Sequence, residues 1–316
     1  MIVKKLIIIF FKDEKMKKKK PLGVILYKGP SLVDGNNIIV IATNVFGNKS
    51  ENEKIGDMIP IWVIKSDISP SMSVTDCARK STHYSDTTVC GNCKHRDFNS
   101  CYVTLFHGPD QVYGAYHRNR YVSYDGSENM KDLFRNKNVR IGAYGDPAAV
   151  PMYVWDEVLG LSKKYTGYTH QWSNKNLSLN YLNNLKQYCM ASCDTVDEQQ
   201  KASKMGWRTF RIRLDEKHEI VSKSKNLMKQ TIVLDDEFTC PASLEAGRIT
   251  DCAHCGGCGG LGSKQVKNVC IIIHGADFKI DKFINGIKKI LNKRSWKLSI
   301  EKPKKKKKRR KKLVKI

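Results

Sequence analysis

Along the middle of the chain, short apolar runs alternate with stretches whose apolar residues recur every three or four positions. The first pattern is that of strands and the second that of amphipathic helices. "NNIIVIAT" and "PIWVIKS" predict an N-terminal pair of strands, joined by the polar, glycine-bearing "TNVFGNKSENEKIGD". "VRIGAYGD" predicts a strand and "PAAVPMYVWDEVLGLSKKY" the helix that follows it. "YTGYTHQW" is the next strand and "LSLNYLNNLKQ" the next helix; "YCMASCD" then leads into "TVDEQQKASKMG", a capped helix closed by glycine. "WRTFRIRL", "QTIVLDD" and "NVCIIIHG" complete the series. Repeated strand-then-helix units imply a mainly parallel sheet, and their number suits a full or partial barrel better than a small open sheet. The expected fold is α/β: a partial, TIM-like (β/α) barrel with an N-terminal strand-rich segment and cysteine-rich metal-binding loops.

In a parallel α/β fold, functional residues gather at the carboxyl ends of the strands. The predicted strands end in polar groups: Tyr144, Gly145 and Asp146; Thr169, His170 and Gln171; Ser192 and Asp194; and His274. Asp146, His170 and Gln171 are the candidate catalytic residues, able to position or deprotonate a substrate. Tyr102 and Tyr144 are candidates for contact with a cofactor. Plainer roles compete: Asp146 and Asp194 also suit the caps of the helices that follow, and His170 suits a satisfied, partly buried histidine.

Charge changes this picture less than its size suggests. The 316-residue chain carries a net charge of +25, but much of it is terminal. Residues 302 to 315 supply eleven basic side chains, and the first twenty residues supply eight against two acids. The tail "KPKKKKKRRKKLVKI" is a low-complexity run suited to non-specific, counterion-releasing contact with nucleic acid, or to none. The apolar run in "MIVKKLIIIFFKDEK" is too short for a membrane span or a secretory core. These features predict a cytoplasmic protein without a membrane partner, with Met16 as an alternative start. P-loop, dinucleotide, G-x-S-x-G and H-E-x-x-H motifs are absent from the sequence, which leaves hydrolases and nucleotide-driven motors unsupported.

The chemistry lies in the cysteines. Eleven cysteines in a cytoplasmic chain argue against a disulfide framework, and seven of them fall into two groups. Cys90, Cys93 and Cys101 belong to "CGNCKHRDFNSC"; Cys240 precedes Pro241, and Cys252, Cys255 and Cys258 belong to "CAHCGGCGG". Three cysteines at two-residue intervals plus a remote cysteine followed by proline suit a cubane iron–sulfur cluster; structural zinc is the alternative. In the first group, three thiolates around four irons would leave one iron open to a small molecule. A fourth ligand from Cys77, His83 or His95 would instead close a zinc knuckle. Cys189, Cys193 and Cys270 lie in apolar strands and read as buried packing.

The strings "LYKGPSLVDG", "CGNCKHR" with "CYV", "IGAYGDPAAVP", "TGYTHQW", "CMASCD", "GWRTFRIR", and "CPAS" followed by "CAHCGGCGG" resemble a family of phage and prophage proteins. That family is in turn similar to phage proteins of radical-SAM-like, partial TIM-barrel organisation. The resemblance covers roughly residues 22 to 276. It implies a (β/α) barrel with cysteine groups near its mouth, working in a host cytoplasm, with a [4Fe–4S] cluster and S-adenosylmethionine as candidate cofactors. The chain departs from the usual radical-SAM pattern, with C-x2-C-x7-C in place of C-x3-C-x2-C and no glycine-glycine-acid segment.

The expected organisation is a basic and apolar extension over 1–20, a strand-rich segment over 21–75, a barrel-like core with both cysteine groups over 76–280, and a basic extension over 281–316. Two functions follow. One is an iron–sulfur enzyme acting on an unspecified small molecule or macromolecule; the other is a zinc-stapled, nucleic-acid-associated protein without catalysis.

Overall fold

The structure, a computed structural model, describes residues 20–47, 53–73 and 86–300, with side chains as far as residue 293. The basic tail from residue 302, the first nineteen residues, Cys77 and His83 lie outside the described residues.

The chain begins with an antiparallel meander of β1 (Gly23–Pro30), β2 (Asn37–Thr43) and β3 (Ile59–Lys65). The sequence pattern predicted two strands here. β1 escaped it because only part of its length is buried and its pairing slips between Ile25 and Tyr27. β2 is apolar on both faces, as a central strand must be, with Ile38 to Ala42 all at 0% exposure. β4 (Tyr121–Ser123) joins β1, β5 (Asn138–Tyr144) joins β3 and β6 (Lys164–Thr166) joins β5, all three in parallel. The result is a mixed six-stranded sheet of order β4-β1-β2-β3-β5-β6.

A second, parallel sheet of five strands runs β10-β11-β9-β8-β7. Its members are β7 (Tyr168–Thr169), β8 (Met190–Cys193), β9 (Thr209–Arg213), β10 (Glu237–Thr239) and β11 (Asn268–Ile272). "YTGYTHQW" is therefore not one strand. It breaks at Gly167, with its first half paired to β5 and its second half to β8. The Gly167 N–H donates to the Cys258 carbonyl at 3.2 Å rather than to a neighbouring strand. A side chain there would sit 2.6 Å from Ile141 and 2.9 Å from the Cys189 sulfur, so only glycine lets the chain pass. Among the described residues no closed barrel forms.

Three other expectations change for identifiable reasons. "QTIVLDD" is not a strand; β10 starts directly after it, at Glu237. Its carbonyls face guanidinium groups, with Arg211 donating to Gln230 and Ile232 and Arg213 donating to Thr231. The segment expected as a basic extension from residue 281 starts inside the helix Asp277–Ile300. That helix buries Phe283, Ile284 and Ile287 against Leu214, Val221 and Leu227, so its first half belongs to the folded body. The helix expected from Pro147 splits into a 3-10 turn, Pro147–Ala149, and an α-helix, Met152–Leu161. Pro151 at the N-cap lacks the N–H that a continuous helix would need there.

No helix among the described residues is long and apolar enough to cross a membrane. The main core lies beneath β2, β3 and β5, with Trp155 at 0% exposure donating to the Pro147 carbonyl at 3.0 Å. A smaller apolar cluster of Met190, Ala242, Val269 and Ile271 includes Cys240 and Cys258.

Candidate metal centre

The parallel strands line one cavity of about 1030 Å³, which runs from residues near their amino ends, such as Arg140 and Tyr168, to their carboxyl ends at Asp146 and His170. Its walls carry all seven grouped cysteines, together with Tyr102, Tyr144, Asp146 and His170. Residues more than a hundred positions apart in sequence therefore share one space. Phe210, Ile212, Phe238 and Ile271 form apolar wall, and Lys54, Arg140 and Lys279 bring positive charge.

In the first cysteine group, Cys90 ends the short helix Thr87–Cys90, Cys93 precedes the helix Lys94–Asp97, and Cys101 follows in the loop beyond it. Gln171, fully buried after β7, donates from Nε2 to the Cys90 carbonyl at 3.1 Å. Gly91, at φ +57°, lets this happen: a Cβ there would lie 2.4 Å from the Gln171 carboxamide. Arg96 donates to the Gly91 carbonyl at 2.9 Å and pairs with Asp86. From the other side, Lys279 donates to the Cys101 carbonyl at 2.7 Å, and Phe283 stacks on His95 at 4.8 Å. Gly91→Ala is expected to destabilise the protein by about 1–3 kcal/mol, since a side chain meets both a disfavoured backbone conformation and the Gln171 carboxamide. Thermal unfolding checks this, and a melting temperature within about 1 °C of the parent would contradict it.

Asp146 is a buried connector. Its Oδ1 accepts from Ala148 N at 2.9 Å and Thr169 Oγ1 at 2.7 Å, and its Oδ2 accepts from His170 N at 2.8 Å. It thus caps the 3-10 turn and also fixes the backbone of His170. Asp194 caps nothing; Thr195 holds that position, accepting from Glu198 N at 3.2 Å. Asp194 is instead turned toward His95, at 3.2 Å, and Lys94, at 3.4 Å. Burial alone would raise its pKa, but His95 and His170 hold it well below the usual carboxylate range. Burial opposes the charged form of His170, yet the Cys93 thiol and Asp194 beside it raise its pKa well above the ordinary imidazole value.

Tyr144 is 4% exposed, and its hydroxyl has no hydrogen-bond partner although it lines the cavity. Tyr102 is more than half exposed and accepts at its hydroxyl from Arg140 Nη2 at 2.9 Å. Burial lifts the Cys90 thiol well above its ordinary pKa, and Asp86, Cys93 and Cys101 add to the effect.

The second group combines Cys240, just after β10, with the helical turn Cys252–Cys255 and Cys258 beyond it. Cys240 N donates to the Cys270 carbonyl at 2.7 Å, and Cys252 N to the Lys54 carbonyl at 2.8 Å. Asp251 caps the turn, accepting from His254 N at 2.8 Å. Burial pushes the Cys258 thiol up to about 12; a hydrogen bond from Tyr168 opposes this, while Cys240, Cys252 and Cys255 reinforce it.

Sequence reasoning missed the group that pins this loop. Arg208 is 5% exposed and donates to the carbonyls of Gly260 at 2.9 Å, Gly257 at 2.9 Å and Lys267 at 2.6 Å. The signal was present: "WRTFRIR" places three arginines on an otherwise apolar strand pattern, and arginine is seldom buried unless it has partners. Cys189, Cys193 and Cys270 are each at 0% exposure, away from the cavity walls. Compared with known protein families, curated proteins and solved structures, the chain shows no match.

Proposed function

We propose that this protein is an iron–sulfur enzyme of radical-SAM-like organisation, with one cluster on Cys90, Cys93 and Cys101, a second on Cys240, Cys252, Cys255 and Cys258, and its substrate between them. The observation that carries this reading is the convergence of all seven thiols on one cavity lined by parallel strands, with the first group at their carboxyl ends and the 252–258 loop packed on the amino ends of β6 and β9. The run β3, β5, β6 with β7, β8, β9, β11 and β10 is parallel throughout, apart from the break at Gly167. That continuity supports a partial barrel with its mouth at the cavity.

The sequence spacing of the second group, C-x2-C-x2-C with a remote cysteine followed by proline, supports iron–sulfur over zinc. A single zinc ion with Zn–S bonds of about 2.3 Å draws its thiolates to within roughly 3.8 Å of one another. Among the described residues, the only group of three or more metal-binding side chains whose ligand atoms all lie within 4.8 Å of one another is His95, His170 and Asp194. When bound, a cluster with three protein thiolates supplies an open iron at which S-adenosylmethionine can be reduced.

The chain's own residues then have definite tasks. Gln171, Arg96 and Lys279 hold the backbone of the first cysteine loop, and Arg208 that of the second. Asp146 orients His170 toward the cavity, and the apolar wall of Phe210, Ile212 and Phe238 excludes water. Tyr144 offers a hydrogen bond to whatever fills the space beside the first group.

The test is anaerobic purification of the full chain, with iron, acid-labile sulfide and zinc measured on one sample. Iron and sulfide are expected in amounts matching two clusters. Cys101→Ala should lower the cluster at the first group and Cys258→Ala that at the second, each with part of the visible absorption lost. Dithionite with S-adenosylmethionine should release 5′-deoxyadenosine from the parent but not from Cys101→Ala. Stoichiometric zinc without sulfide would overturn the reading.

A further inference from the structure

The geometry points to a separate mononuclear metal site on His95, His170 and Asp194, taking a first-row divalent transition-metal ion at the cavity wall. His95 Nε2 lies 3.2 Å from Asp194 Oδ1, and His170 Nε2 lies 3.8 Å from the same oxygen. All three ligand atoms fall within 4.8 Å of one another. A tetrahedral ion with bonds of about 2.0–2.1 Å sets its ligand atoms roughly 3.4 Å apart, between these two distances.

The polar environment fits an ion better than a hydrogen-bond network. His170 Nε2 is buried and stands 3.8 Å from Asp194 Oδ1, longer than a good hydrogen bond, with the Cys93 thiol also beside the ring. A shared cation satisfies that nitrogen and Asp194 Oδ1 together. The remaining groups orient the ligands as outer contacts of a metal site do. His95 Nδ1 is 3.1 Å from Ser100 Oγ, which leaves Nε2 directed at the carboxylate. Lys94 stands 3.4 Å from Asp194 Oδ2, occupying the oxygen that a monodentate ligand would leave over. The His170 backbone is fixed by Asp146.

Two histidines and one carboxylate form the ligand set of open zinc and ferrous sites, which keep further positions for water or substrate. Both histidines line the cavity while Asp194 is only 1% exposed, so the open side of the ion would face the cavity. An ion there would orient an oxygen group of the substrate. The site takes no cysteine ligand, although Cys93 stands beside His170; His95 serves this ion and is then not the fourth ligand of a zinc knuckle on the first group.

Metal analysis on the full chain tests it, with iron, zinc, cobalt and sulfide measured before and after equilibration with cobalt(II). The His95→Phe variant removes a ligand nitrogen but keeps a ring against Phe283; Asp194→Asn removes the anionic oxygen. The expected result is that each variant binds one equivalent less of divalent ion than the parent, with sulfide unchanged. Circular dichroism confirms that each variant is folded, and His170→Gln serves as a third variant if Asp194→Asn is not. Equal metal content in the parent and the folded variants would overturn the site. Loss of sulfide together with the ion would also overturn it, since the histidines would then belong to the cysteine group. Absence of sulfide from the parent would count against the iron–sulfur reading alone.

Discussion

Glu237→Leu is expected to destabilise the protein by about 3–5 kcal/mol, the range found when one partner of a buried ion pair is removed. Glu237 and Arg211 are both at 0% side-chain exposure and meet through two bonds, of 2.7 Å from Nε and 2.6 Å from Nη2. Glu237 Oε2 also accepts from Leu234 N at 3.0 Å, so the carboxylate ties β9, the approach to β10, and β10 itself. Leucine in its place leaves a guanidinium in the interior with only carbonyl partners. The charge must then draw water inward or loosen the β9–β11–β10 edge, from which Cys240 projects. Arg211→Met combined with Glu237→Leu should recover part of the loss by removing both charges. Recovery stays incomplete because the carbonyls of Gln230 and Ile232 lose their donor. Denaturant unfolding of the parent, single and double variants measures this. A loss below about 1 kcal/mol for Glu237→Leu would mean that the pair carries no uncompensated burial.

Arg208→Ala should act on the second cysteine group without touching a thiol. Its three carbonyl acceptors belong to the segment that carries Cys258 onward to β11. Each buried acceptor left without a donor costs about 1–3 kcal/mol, less where water can enter. A total near 3 kcal/mol is the expected outcome. Removing groups that orient metal ligands typically weakens metal binding by about 10–100-fold, so under the proposed function the cluster of the second group should be lost first on mild chelation, with that of the first group retained. Arg208→Lys, which cannot reach three carbonyls at once, should fall between the parent and alanine. Unchanged stability together with unchanged chelation kinetics would show that the loop is held by its own turns.

Much of the strand series was legible because its cause is local. "NNIIVIAT" and "NVCIIIHG" are apolar runs too short for helices, and they form β2 and β11. Thr195 and Gly206 bracket a helix by capping chemistry that operates within a single turn. The polar strand ends were legible for the same reason: they break an apolar pattern, and Asp146, His170 and the Cys240 region do meet at one cavity. Where the reading failed, the deciding partner was distant. "QTIVLDD" has strand composition, but its carbonyls are taken by Arg211 and Arg213, which no window around residue 231 contains. The helix after Asp277 reads as basic, and its burial becomes visible only once Leu214, Val221 and Leu227 are placed beside it.

The sequence by itself determined the α/β class, the order of most elements and the two groups of closely spaced cysteines, because composition, capping and cysteine spacing act over a few residues. The tertiary structure alone decided that both groups face one cavity, that Gly167 divides a strand between two sheets, and that Asp194 meets His95 and His170 rather than capping a helix. Each of these depends on side chains brought together from remote positions, where burial makes every unpaired polar group costly and so selects its partner.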